Sequence, residues 1–173
     1  MFLPGKSVAS EQSWMPEMCS ITPFNERLSE LVASLGVSGE QREFIGDFSS
    51  TLNDVSDRFT GHVILHEGRP AGFFIIDLDY PDQYDFADQG SIGLRSFFIA
   101  GQYQGKGLAK HVLQELSQYL RTQGIAAEKL FLTVNCRNTA AASLYRKCGF
   151  RDDGKLYLGG QRGPQHIMQL PVT

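Results

Sequence analysis

The stretch that decides the fold is residues 95–116, RSFFIAGQYQGKGLAKHVLQEL. An apolar run up to Ala100 gives way to glycines at 101, 105 and 107, and then to Leu108, Val112, Leu116 and Leu120 at helical spacing. A strand, a glycine turn and a helix therefore follow one another directly. The first turn of a helix has N–H groups without intrahelical partners and carries roughly half a positive charge. A phosphate is held well there, and glycine lets it approach because no Cβ intervenes. Two common phosphate motifs do not fit. In the P-loop pattern Gly101 is one residue too close to Gly105-Lys106, and Gly107 stands where a serine or threonine belongs. In the dinucleotide pattern Lys110 occupies the third glycine position.

Working outward, residues 1–15 show no period and read as a flexible N-terminal extension, with residues 16–173 as a single domain. A strand at 17–24 ends at Pro23, and Asn25 caps a helix over 26–35 with Leu28, Leu31, Val32 and Leu35 as its apolar side. A second helical stretch, 39–55, carries Phe44, Ile45 and Phe48, with a break near Ser49. Strands at 61–67 and 71–80 flank Gly68-Arg69-Pro70, a hairpin signal. A loop over 77–90 follows, with five aspartates and no basic residue. The opening stretch supplies a strand from Gly93 to Ala100 and a helix from Gly105 to about Gln123. Next come a strand over 129–135, a helix over 138–148 capped by Asn138, and strands at 154–160 and 165–172. This order predicts an α/β fold with a mixed central sheet and helices on both faces. The last strand is expected at a sheet edge, where a second copy could add to it as a homodimer.

Composition narrows the function. The chain has 173 residues, 42% hydrophobic and 20% charged, with 16 basic against 19 acidic side chains and a formal charge of −3. That balance offers no general attraction for nucleic acid or an anionic membrane. No apolar run approaches the ~20 residues of a membrane helix, and no export signal is visible, so a cytoplasmic location is expected. Three cysteines at 19, 136 and 148 are too irregularly spaced for a disulfide framework or a zinc site. Reduced thiols and no metal are expected.

Gln104-Gly105-Lys106-Gly107-Leu108-Ala109 fits the pattern [QR]-x-x-G-x-[GA], and LTVNCRNTAAASLYRKCGF (132–150) repeats a second pattern of strand, Asn138, Ala141, Leu144-Tyr145 and Gly149-Phe150. Together these resemble the GNAT superfamily of acetyl-CoA-dependent N-acetyltransferases, over about residues 18–172. The resemblance implies a mostly antiparallel sheet that splays beside the phosphate loop. It implies direct acetyl transfer in a ternary complex, without an acyl-enzyme. The backbone from Gly105 to Ala109 would cradle the pyrophosphate of acetyl-CoA, with Gln104 opening the loop and Lys106 near a phosphate. The backbone of Phe97, Phe98 and Ile99 would pair with the pantetheine arm. Asn138 and, more weakly, Asn135 would contact the cofactor. Tyr145 would be the general acid, since a phenol near pKa ~10 is protonated and can donate to a leaving thiolate.

The acceptor is less legible. Polyamine acetyltransferases of this superfamily carry an acidic pair just before the Phe-Phe of this strand, where this chain has Arg95 and Ser96. Ribosomal-protein N-terminal acetyltransferases carry a glutamate where this chain has Thr133. Arginine cannot serve as a base. Asp77, Asp79, His166 or a water on strand backbone are the candidate bases, and Asp77, Asp79 and Arg95 the candidate substrate contacts. Asp77 or Asp79 could instead pair with Arg95. The aspartate loop, with Asp82 and Asp85, could steer a cationic amine. The reading is acetyl transfer to the primary amine of a small molecule. Acylation of a protein lysine or N-terminus, or a non-catalytic CoA-binding sensor, are the alternatives.

Overall fold

The computed structural model describes residues 19–36, 41 and 48–172. Seven strands form one sheet: β1 (Cys19–Pro23), β2 (Phe59–His66), β3 (Arg69–Asp77), β4 (Ile92–Ile99), β5 (Lys129–Asn135), β6 (Arg151–Tyr157) and β7 (Gln165–Pro171). Their spatial order is β1-β2-β3-β4-β5-β7-β6. Every neighbouring pair is antiparallel except β4–β5, which is parallel. The helices are α1 (Ser29–Ala33), α2 (Phe48–Asn53), α3 (Leu108–Thr122) and α4 (Thr139–Lys147).

Strand alternation divides the sheet into two apolar faces. Ile64, Phe74, Leu94, Leu130 and Leu132 point to the face covered by α3 and α4, through Leu113, Leu116, Leu120, Ala142 and Tyr145. Val63, Phe73, Ile75 and Phe98 point to the other, against Val32 and Leu35 at α1 and Phe48 of α2. Further along that second face, Phe131 and Ile167 are covered by an aromatic loop carrying Tyr80, Tyr84 and Phe86. Helices on both faces follow, as the element order predicts.

β4 carries a bulge where it meets β3. Phe73 pairs with Phe98 and Ile75 with Arg95, so one residue of β3 faces two of β4, Ser96 and Phe97. Ser96 takes up the extra length at φ +53°, a left-handed conformation rare outside glycine and asparagine. The bulge shifts the side-chain phase. Leu94 and Phe97 face α3, while Arg95 and Phe98 face the other way.

Several expectations are corrected. The 165–172 strand is not an edge: β7 lies between β5 and β6, because the β6–β7 hairpin folds inward and leaves β1 and β6 outermost. Helix α3 begins at Leu108, not Gly105, since Gly105 and Gly107 have φ of +77° and +75°. β6 begins at Arg151, three residues early; α2 is continuous from Phe48 to Asn53, and residues 42–47 before it lie outside the described residues. Leu31 is 55% exposed and leaves the core to Val32 and Leu35. The expectations for residues 1–15, and for Phe44 and Ile45, lie outside the described residues. Among the described residues no helix is long and apolar enough to cross a membrane, no His/Cys/Asp/Glu group could hold a metal, and the three thiols are free.

Candidate active site

β4 and β5 pair only at Ile92–Leu130 and Gly93–Phe131, then diverge. β5 stays paired with β7 along its whole length, so its other edge is bare beyond Phe131. At the vertex the ring of Tyr80 occupies the space a Cβ on residue 93 would need, so only glycine fits there. The gap opens into a cleft of about 1130 Å³.

One end of this cleft is built from backbone. Gly105 and Gly107, both left-handed, turn the chain from β4 into α3. Gly107 is the N-cap of α3 and supplies no side-chain acceptor, and no acidic residue stands in the first turn. The leading N–H groups of a fifteen-residue helix are thus left to an outside anion. Gln104 folds back, its Nε2 donating to the Ile99 carbonyl at 3.0 Å, and Gln41 donates to the same oxygen at 3.0 Å. That pins the turn to the end of β4.

Across the gap, the N-cap Asn138 accepts from the Ala141 N–H at 3.3 Å and starts α4. Two turns further, Tyr145 packs its ring edgewise on Phe150 and Phe97 at 5.4 and 6.3 Å. Burial raises its pKa, and nearby Cys148 adds to the effect, so the phenol keeps its proton. Among the described residues its hydroxyl has no protein hydrogen-bond partner, although Tyr145 lines the cleft.

The other end is built from side chains. Asp77, fully buried at the end of β3, accepts from Arg58 Nε at 3.0 Å on one oxygen and from Arg95 Nη2 and Nε at 2.8 and 3.0 Å on the other. Arg58 also donates to Asp82 at 3.2 Å and to the Asp79 carbonyl at 2.8 Å. Two arginines, one in the bend before β2 and one on β4, therefore organise the aspartate loop. Gln83 accepts from Arg95 at 2.6 Å, and Phe59, Tyr80 and Tyr84 surround the guanidinium with ring centres 5.6, 5.2 and 5.2 Å from its carbon. The pKa of Tyr80 is raised, chiefly by burial.

The family model described as "Acetyltransferase (GNAT) family" matches residues 25–150, well over half of the chain. The chain belongs to the GNAT acetyltransferase family. It is by that membership an N-acetyltransferase. It is 29% identical over 133 residues to a spermine/spermidine N(1)-acetyltransferase of Bacillus subtilis (strain 168), covering 76% of this chain and 86% of that protein. Its fold matches the structure of aminoglycoside acetyltransferase AAC(6')-Ib in complex with coenzyme A, at TM-score 0.71 and 19% identity, over 88% of this chain and 94% of that one. The ribosomal-protein-S18-alanine N-acetyltransferase of Escherichia coli matches at TM-score 0.62 and 21% identity, over 90% and 95%.

In this GNAT chain the residues expected at the cofactor come together. Phe97, Phe98, Ile99, Gln104, Gly105, Gly107, Leu108, Ala109, Asn135, Asn138 and Tyr145 all line the cleft, while Lys106 does not and Lys110 does. Asn135 is committed within the protein: its Nδ2 donates to the Arg162 carbonyl at 2.9 Å and its Oδ1 accepts from the Arg137 N–H at 2.9 Å. Of the residues expected at the acceptor, Arg95 lines the cleft, but Asp77 is sealed behind it and Asp79 lies outside. His166 lies outside too, 3.3 Å from Asp152. None of the five loop aspartates lines the cleft; the loop presents Tyr80, Gln83 and Tyr84 instead. Sequence reasoning passed over Gln41, Phe59 and Asp54, which carry no local motif. It also passed over three aromatics between 80 and 86, whose spacing was visible among the aspartates.

Proposed function

We propose that the cleft binds acetyl-CoA as co-substrate and transfers its acetyl group to the primary amine of a small-molecule acceptor, by direct attack in a ternary complex. The observation that carries this reading is the divergence of β4 from β5 beside an uncapped, glycine-built helix start, with Tyr145 on the same cleft. In this reading the pyrophosphate sits on the N–H groups from Gly105 to Ala109, and the pantetheine arm lies along the bare edge of β4. The amine lone pair attacks the thioester carbonyl carbon, the C–S bond breaks, and the departing sulfur takes the Tyr145 proton to leave as the CoA thiol. Burial of Tyr145 supports this role, because the phenol starts protonated and the proton it gives is regained from solvent.

The attacking amine must also lose a proton. Both oxygens of Asp77 already accept from guanidinium groups, and Asp79 and His166 lie outside the cleft. A water on the bare strand edge is the acceptor that fits. Polycationic acceptors, such as the name of the Bacillus relative implies, find little acid here: Asp54 is the one carboxylate among the described residues lining the cleft.

The test is release of free thiol from acetyl-CoA in the presence of a panel of amines, amino acids and peptides. Acceptor-dependent thiol with a small amine supports the reading. Thiol release with peptides alone would transfer the activity to a protein substrate. Tight acetyl-CoA binding without acceptor-dependent thiol would make the chain a sensor.

A further inference from the structure

We propose that the acceptor carries a carboxylate close to its amine and that Arg95 is the residue selecting it. This rests on amine acetylation as proposed above and names its substrate class. Arg95 immediately precedes the bulge at Ser96, so its side chain leaves β4 on the face away from α3 and lines the cleft near the vertex. Its guanidinium has five N–H donors. Nε and Nη2 are spent on Asp77 and Gln83, whereas Nη1 makes only a 3.5 Å contact with the Tyr84 hydroxyl. Among the described residues at least one N–H of Nη1 is therefore without an acceptor, and Arg95 lines the cleft. The group cannot swing away, because Asp77 holds one edge and Phe59, Tyr80 and Tyr84 surround it. A fixed guanidinium N–H makes a strong, charge-assisted hydrogen bond to an anionic oxygen such as that of a carboxylate.

The charge balance agrees. Asp77 is shared between Arg95 and Arg58, and the second acid on Arg58, Asp82, is 66% exposed and screened by water. Among the described residues the cleft is lined by three cations, Arg95, Arg162 and, at the helix start assigned to the pyrophosphate, Lys110, against the single carboxylate of Asp54. A polyamine would bring several ammonium groups to this wall. An amine bearing a carboxylate brings one of each sign.

The experiment compares kcat/KM, with acetyl-CoA, for matched probes that differ by the carboxylate: phenylalanine against phenethylamine, ornithine against putrescine, and spermidine as the polycation. The carboxylate-bearing member of at least one pair should be favoured by tenfold or more. Arg95→Gln should bring that ratio toward one through KM, with Arg95→Lys intermediate because it keeps a cation on Asp77 but loses the Nη1 donor. Acetyl-CoA binding by each variant verifies that it is folded. Preference for spermidine or the carboxylate-free amines in the wild-type protein, or a ratio unmoved in a folded Arg95→Gln, overturns the inference and leaves amine acetylation standing. No thiol release with any amine, while acetyl-CoA binds, overturns amine acetylation itself and this inference with it.

Discussion

The two ends of the cleft are made of different material. The glycine end uses backbone: two left-handed glycines, an uncapped helix start and a strand edge without a neighbour. The arginine end uses side chains drawn from the bend before β2, from β3, from β4 and from the loop after β3, held together by one buried carboxylate. A backbone site tolerates changes of side chain but not of conformation. A side-chain site is the reverse: its frame survives small shifts, but one substitution at its centre removes several contacts at once.

That contrast can be broken experimentally. Asp77→Ala should have the largest effect, because it strips a buried acid from Arg95 and Arg58 together. Loss of one partner from a buried ion pair costs about 3–5 kcal/mol, read as a fall in the urea midpoint. A stability near wild type would show that the arginine end does not depend on its carboxylate.

On the α3 face, His62 of β2 stacks on Phe74 and is 2.8 Å from the Tyr119 hydroxyl through Nδ1 and 2.9 Å from Thr60 Oγ1 through Nε2. Thr60 in turn donates to the Ile76 carbonyl at 3.4 Å, which assigns the His62 proton to Nε2. Burial lowers the His62 pKa from 6.5 to about 4. The unfolded chain therefore binds the extra proton first as pH falls. The stability this residue contributes is present above pH ~6.5 and is lost, by roughly 3 kcal/mol, as pH falls toward 4. Urea midpoints from pH 7 to pH 4.5 should show the decline, and His62→Gln should flatten it. An equal slope in both proteins would remove His62 as the cause.

Tyr145→Phe keeps the ring contacts with Phe97 and Phe150 and deletes only the proton donor. It should lower kcat about a hundredfold, with acetyl-CoA affinity within a few-fold of wild type by calorimetry. Turnover near wild type would take the proton from another source. The smallest effect belongs to Gly107→Ala, which places an ordinary residue at φ +75°. The strain is about 1–2 kcal/mol, so acetyl-CoA should bind about tenfold more weakly, while the acceptor KM moves little. If the acceptor KM moves as much, the two ends are not separate.

The same contrast explains what the sequence made legible. A backbone site must be written locally, so Gly105, Gly107 and Asn138 stand in short patterns that name their elements. The element order was readable for the same reason, since each strand and helix declares its own period. The details that escaped depend on distant partners. Pairing of Asp77 with Arg95 was one of the readings the sequence offered, but nothing near Asp77 announces that Arg58 closes on it too and that it is buried, so an ion-pair centre and an exposed aspartate loop look alike in one dimension. Gln104 belongs to the loop motif, yet its hydrogen bond to the Ile99 carbonyl shows only in space. The place of β7 was misjudged because a terminal hairpin can fold to either side, and only the bare edge of β5 decides which strand enters.

The two-pair seam between β4 and β5 has one more consequence. The sheet is in effect two sheets, β1–β4 and β5–β7–β6, stitched at Ile92 and Gly93. With a pantetheine arm in the gap, as proposed, the ligand takes the place of a strand. Acetyl-CoA at a hundred times its Kd would add about 2.7 kcal/mol to stability, and amide exchange should slow between Leu94 and Phe98 more than on β1 or β2. The co-substrate would then act as a splint as well as a reagent, and each release of CoA would return the protein to its split form.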